Sequence, residues 1–253
     1  MSMSEVNVAA DGGTGIVTID RPQVMNALSL TVRRGLVAAI RQLEGDERIR
    51  VIVLTACGQR AFCAGLDLGE LATTPGVLSE ENQNDAAFDP VLALLSCAKP
   101  TIAAVNGVAI TGGLELAMSC DMILASDTAR FADTHGKVGV LPGWGLSQKL
   151  ARTVGLARAK EMSFSGRFVD ARTALDWGLV NRVVPPDRLL SDVLELAAQI
   201  ARTPADYLRQ YKALMDDGYA GTLAEGLDLE AHRAHAHNAA LKPISLDLRR
   251  GDR

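Results

Sequence analysis

The chain has 253 residues, 48% hydrophobic and 22% charged, the balance of a globular protein whose core is large enough to need no disulfide staples. A formal net charge of -4 argues against nucleic acid as the main partner, so an anionic ligand must be met by local groups, not by a global field. Cys57, Cys63, Cys97 and Cys120 lie in apolar stretches without C-x-x-C spacing, which points to buried, reduced thiols in a cytoplasmic setting and away from disulfides or zinc.

The first ten residues carry Glu5 and no basic stretch, so no secretory signal is expected. Residues 6–9 and 15–19 read as two hairpin strands around Asp11-Gly12-Gly13. After Arg21-Pro22, Ser29 is placed to cap a helix whose Leu36, Ile40 and Leu43 form one apolar stripe. Residues 51–54 are a continuous apolar run, as in a strand buried on both faces. Residues 69–85 are polar with Thr, Pro and Gly, predicting a mobile loop. A helix over 88–96, a strand over 101–105, a Gly-rich turn, a helix over 113–119 and a strand over 122–125 give the alternation of βαβ units.

Residues 101–125 lack Lys and Arg, yet Asn106, Glu115 and Asp121 make them a core segment and not a membrane span. Beyond Pro142 the pattern is helical apart from a short apolar segment at 180–184. We divide the chain into a core of residues 1–195 and a helical module of residues 196–253 whose apolar face suits a neighbouring subunit. His232, His235 and His237 sit on a predicted helix with no completing Asp or Cys, as on a solvated face.

Two glycine-bearing turns follow buried strands. One is Ala64-Gly65-Leu66-Asp67, the other Thr111-Gly112-Gly113. Glycine lets backbone approach a ligand closely, and a helix start adds positive potential, so two N–H groups could meet on one oxygen. A tight turn with no ligand is the plain alternative for either taken alone. Neither fits a phosphate loop or G-x-G-x-x-G. Glu115 lies in an apolar run just after the second turn, where burial resists its charge and a helix start favours it. By itself such a carboxylate is also what a helix start uses as a cap.

Together these pieces resemble the crotonase (enoyl-CoA hydratase/isomerase) superfamily. The resemblance runs from Arg21-Pro22 and Asn26-Ala27-Leu28, through 61–68 and 106–121, to 129–131 and 139–143. It implies an α/β fold with a crotonase-type ββα spiral core and a C-terminal helical module, homotrimers or dimers of trimers, and acyl-CoA or enoyl-CoA substrates. No membrane or nucleic-acid partner is implied, and no cofactor beyond the coenzyme A of the substrate. By position, the backbone N–H groups of Leu66 and Gly112 form an oxyanion hole, and Ala64, Asp67, Gly113, Pro142 and Trp144 contact the substrate. The reaction implied is addition of water to a 2-enoyl-CoA. The alternatives are double-bond isomerisation, other enolate chemistry, or acyl-CoA binding without catalysis.

Two positions depart from the family pattern. Its hydratases use two glutamates to hold a water; Glu115 matches the first, and His135 stands at the second. Histidine still exchanges protons near neutral pH, so Glu115 and His135 either form the catalytic pair, or His135 only shapes the pocket and the hydration step is crippled. Trp144 is large where the family is usually small, and either walls the acyl pocket or packs in the core. Lys242, Arg249 and Arg250 lie in the C-terminal stretch that in the family helps cover coenzyme A phosphates.

Overall fold

The computed structural model describes residues 5–77 and 85–240. Strands β1 (Val6–Asp11) and β2 (Thr14–Ile19) pair antiparallel about Gly12, whose φ of 55° suits the two-residue turn. Ser29 caps helix α1 (Leu30–Gly45) by accepting from the Val32 amide, and Leu36, Ile40 and Leu43 are buried as the stripe requires.

The next part of the chain repeats one move three times. Strand β3 (Val51–Ala56) joins a six-stranded sheet, then β4 (Ala61–Cys63) crosses to a four-stranded one, followed by helices α2 (Leu68–Thr73) and α3 (Pro90–Leu95). Strand β5 (Thr101–Val105) returns to the first sheet, β6 (Val108–Ile110) enters the second, and α4 (Gly112–Ala117) follows. The third turn is β7 (Met122–Ser126), β8 (Arg130–Ala132) and α5 (His135–Val138). This is the ββα spiral. Helices α6 (Leu146–Val154) and α7 (Leu156–Ser165), strand β9 (Val169–Asp170), helix α8 (Ala171–Asp176), strand β10 (Arg182–Val184) and helix α9 (Leu189–Ala201) complete it.

The larger sheet has the order β1-β2-β3-β5-β7-β10 and is parallel from β2 onward. Its central strands are buried on both faces, which is why residues 51–54 show no alternation. Ile52 and Leu54 join the main core, while Val51 and Val53 pack with Leu189, Val193 and Ala197 of α9. The smaller sheet, β4-β6-β8-β9, pairs β4, β6 and β8 in parallel. Its register sets Cys63 beside Ala109 and Ile110 beside Ala132, so three strands end side by side.

Two expectations change. The mobile loop expected over 69–85 begins as helix α2, because Asp67 accepts from the Gly69 and Glu70 amides and starts it; residues 78–84 lie outside the described residues. The Gly-rich turn between β5 and α4 contains strand β6, too short to show a period in the sequence. Cys63, Cys97 and Cys120 are buried, whereas Cys57 is half-buried. Burial pushes the Cys63 thiol up to about 12.

The chain divides into compact units at Met1–Ala205 and Asp206–Arg253. In the second, α11 (Leu223–Ala239) is started by a capping box of Thr222 and Glu225 and tied to α10 (Ala205–Ala220) by Arg233–Asp217 and His237–Gln210 contacts of 2.6 and 2.8 Å. His232 and His235 are exposed, and His232 bonds the Asp228 carbonyl. Among the described residues no helix is long and apolar enough to cross a membrane. Lys242, Arg249 and Arg250 lie outside the described residues.

Candidate active site

The segments that leave β4, β6 and β8 open onto one cavity of about 620 Å³. Parallel strands commonly present ligand sites at their carboxyl ends, and here each strand of the three delivers a piece. After β4 come Ala64, Leu66 and Asp67; after β6, Thr111, Gly112 and Glu115; after β8, Thr134 and His135.

The first turn is clasped from below. Leu28 donates to the Gly65 carbonyl at 2.8 Å, Ala64 to the Met25 carbonyl at 3.1 Å, and Asp67 to the Leu28 carbonyl at 3.3 Å. Arg21 donates to Asp67 Oδ2 at 2.9 Å, and the buried Asn26 side chain donates to the Ala61 carbonyl at 2.7 Å. These bonds explain why Arg21 and Asn26 accompany the motif. They brace the turn.

The clasp leaves one amide out. Among the described residues neither the Leu66 nor the Gly112 N–H donates to a protein acceptor, and both residues line the cavity. Gly112 opens α4, where first-turn amides have no intrahelical partner. The turns touch: a Cβ on Gly65, whose φ is +88°, would lie 3.1 Å from the Gly112 nitrogen. Thr111 adopts φ 54° to aim the chain into α4, a left-handed conformation that costs a non-glycine residue energy and recurs at functional sites.

Glu115 is 2% exposed. Its Oε1 accepts from the Trp144 amide at 2.9 Å and the Leu146 amide at 3.2 Å, so it caps α6, not its own helix. Oε2 faces His135 Nε2 at 3.6 Å. Burial raises the Glu115 carboxyl above the ordinary glutamate value, against the opposing pull of His135 and the two amides. His135 is itself buried, and its Nδ1 lies 2.8 Å from Asp133 Oδ1.

Trp144 stands in the cavity wall, half-buried, with Arg33 5.2 Å over its ring and a virtual Gly112 Cβ 3.2 Å from its edge. It is wall and packing at once. Arg33, 2% exposed, also lines the cavity and donates to the Phe88 carbonyl at 2.6 Å. Neither Arg33 nor Asp133 stands in a motif that marks it as functional in the sequence. The D-x-H spacing of Asp133 and His135 was the one available signal.

Two expected substrate contacts are placed differently. Gly113 does not line the cavity; a Cβ there would fall 2.0 Å from the Cys63 carbonyl oxygen, so its glycine admits β4. Pro142 does not line it either, because its neighbours Leu141 and Gly143 form that stretch of wall. Asp67 does line the cavity, but both its oxygens are engaged, Oδ1 by the α2 cap and Oδ2 by Arg21.

A buried carboxylate facing an imidazole lines the same cavity as two amides unengaged among the described residues, in an α/β fold; groups of these kinds can move a proton and hold a developing negative charge. The chain belongs to the enoyl-CoA hydratase/isomerase family, whose model matches residues 10–242. It is 40% identical over 230 residues to a probable enoyl-CoA hydratase of Rhizobium meliloti, covering 91% of this chain and 88% of that one. It is 33% identical over 232 residues to the short-chain-enoyl-CoA hydratase of Clostridium acetobutylicum, covering 91% and 88%. The crystal structure of enoyl-CoA hydratase from Bacillus anthracis superposes with a TM-score of 0.86 at 31% identity, covering 93% of this chain and 92% of that one. The fold is that of the crotonase superfamily.

Proposed function

We propose that the protein is a hydro-lyase that adds water to the double bond of a 2-enoyl-CoA thioester. The observation that carries this reading is the meeting, at the ends of β4, β6 and β8, of two free amides with the buried Glu115–His135 pair. Addition of hydroxide at C3 drives the double-bond electrons onto the thioester oxygen. Donors already in place for that charge are typically worth ~10²–10³ in rate each. Leu66 and Gly112 supply them in this reading. Glu115 takes a proton from water, the water oxygen bonds C3, and His135 returns a proton to C2. Proton transfer and charge stabilisation account for every step, so coenzyme A enters only as part of the substrate.

The protein works as a homotrimer or dimer of trimers. Supporting this, Tyr207, Tyr211, Met215 and Tyr219 form an exposed stripe at i, i+4, i+8 and i+12 along α10, an unusual amount of apolar surface for a lone chain. A cytoplasmic setting is supported by the free, buried thiol of Cys63.

The test is incubation with a panel of 2-enoyl-CoAs, followed by loss of the conjugated thioester and product mass. A gain of one water upholds the reading. An unchanged mass with a moved double bond makes the protein an isomerase, and tight binding without turnover makes it a non-catalytic acyl-CoA binder.

A further inference from the structure

His135 has two ring nitrogens, and the one that carries the fixed proton decides which can work on the cavity side. Nδ1 lies 2.8 Å from Asp133 Oδ1, and the His135 amide donates to the same oxygen at 3.1 Å. Asp133 is 5% exposed. Its carboxyl nevertheless lies below the ordinary aspartate value: burial opposes the charge, and hydrogen bonds from the His135 ring, Ser163 and the His135 amide outweigh it. An ionised carboxylate only accepts, so Nδ1 is the donor of this pair. The proton that comes and goes is therefore the one on Nε2, which faces Glu115 Oε2 at 3.6 Å. That gap is too long for a direct hydrogen bond. A water oxygen placed ~2.8 Å from both atoms closes the triangle on the cavity side.

We infer that Asp133 is the positioning residue that makes His135 a working partner of Glu115. It fixes the ring's tautomer and steadies the imidazolium form, the part a carboxylate plays behind a catalytic imidazole elsewhere. The inference rests on the hydratase reading for its kinetic part. The cycle uses the ionised form of Glu115 and the form of His135 that carries a proton on each nitrogen. The water O–H bond breaks with its proton going to Glu115, the oxygen bonds C3, and the Nε2 proton passes to C2. Glu115 then returns its proton to Nε2, so one water is consumed and both residues are restored. Asp133 keeps the Nδ1 proton throughout.

The experiment compares Asp133→Ala and Asp133→Asn with the parent. The chain has four histidines, so ¹⁵N ring shifts of His135 can be assigned against His135→Gln. In the parent the neutral ring carries its proton on Nδ1. In Asp133→Ala it moves to Nε2, and kcat falls ~10²-fold or more while KM stays within about threefold. Asp133→Asn, which keeps an acceptor oxygen, holds the Nδ1 proton and recovers part of the lost kcat. Ring shifts unmoved in the alanine variant, or a kcat within about threefold of the parent, overturn the inference. If the parent hydrates no enoyl-CoA, the hydratase reading fails by itself, and the ring shifts alone uphold or overturn the hold of Asp133 on His135.

Discussion

Replacing Glu115 by Gln separates chemistry from architecture at a single atom. The Gln oxygen can keep both bonds that Oε1 now accepts, from Trp144 at 2.9 Å and Leu146 at 3.2 Å, so α6 stays capped. What changes is Oε2, the atom facing His135 at 3.6 Å, which becomes an amide nitrogen unable to take a proton from water. Losing a general base typically costs ~10²–10⁴ in rate, or about 3–5 kcal/mol of barrier. Stability moves the other way. Because burial raises the native Glu115 value, the folded protein keeps this proton to higher pH than the unfolded chain does. Stability is therefore lost as pH rises from the ordinary glutamate value through the raised one. A neutral Gln escapes that loss. We expect kcat for crotonyl-CoA hydration to fall ~10²-fold or more, with Tm at pH 8 equal to or above the parent's. A variant that retains kcat within tenfold of the parent refutes the reasoning, and so does one that unfolds several degrees lower.

Other consequences follow from the same geometry. The acid limb of the parent's kcat–pH profile lies above the ordinary glutamate range, since Glu115 must ionise to accept a proton and burial delays that; in Glu115→Gln the limb is absent. Trp144→Ala opens the wall beside Gly112 and Arg33, so kcat/KM for longer 2-enoyl-CoAs rises relative to crotonyl-CoA, measured as a ratio across chain lengths. Gly113→Ala forces a methyl to within 2.0 Å of the Cys63 carbonyl oxygen. Overpacking of that kind costs about 3 kcal/mol at its usual upper end, a Tm loss of roughly 6–12 °C by calorimetry. An unchanged Tm would show that β4 and α4 are less tightly engaged than the structure has them.

Elements with a long period or a clear cap were legible in the sequence. Ser29 and the Leu36, Ile40, Leu43 stripe specify α1, and the unbroken run at 51–54 specifies a strand covered on both sides. The second sheet was not legible, because β4, β6 and β8 have three residues each and β9 two, too few for any period to register. Yet that sheet builds the site. Glu115 was readable as a charge in an apolar run, but not the helix it caps, since Trp144 and Leu146 lie about thirty residues downstream. Gly113 shows the converse. Its place in a glycine pair suggested a ligand, and the close neighbour proved to be the chain's own Cys63 carbonyl. Asp133 is not legible in the sequence, because its meaning comes from the turn that brings its Oδ1 to 2.8 Å from His135 Nδ1.

The most direct test of the account is a crystal structure with a saturated acyl-CoA such as butyryl-CoA bound. The thioester oxygen is expected ~2.7–3.1 Å from both the Leu66 and Gly112 nitrogens, with its Cα and Cβ facing Glu115 and His135. A carbonyl oxygen bound away from either amide, or amides found engaged within the protein, would contradict it.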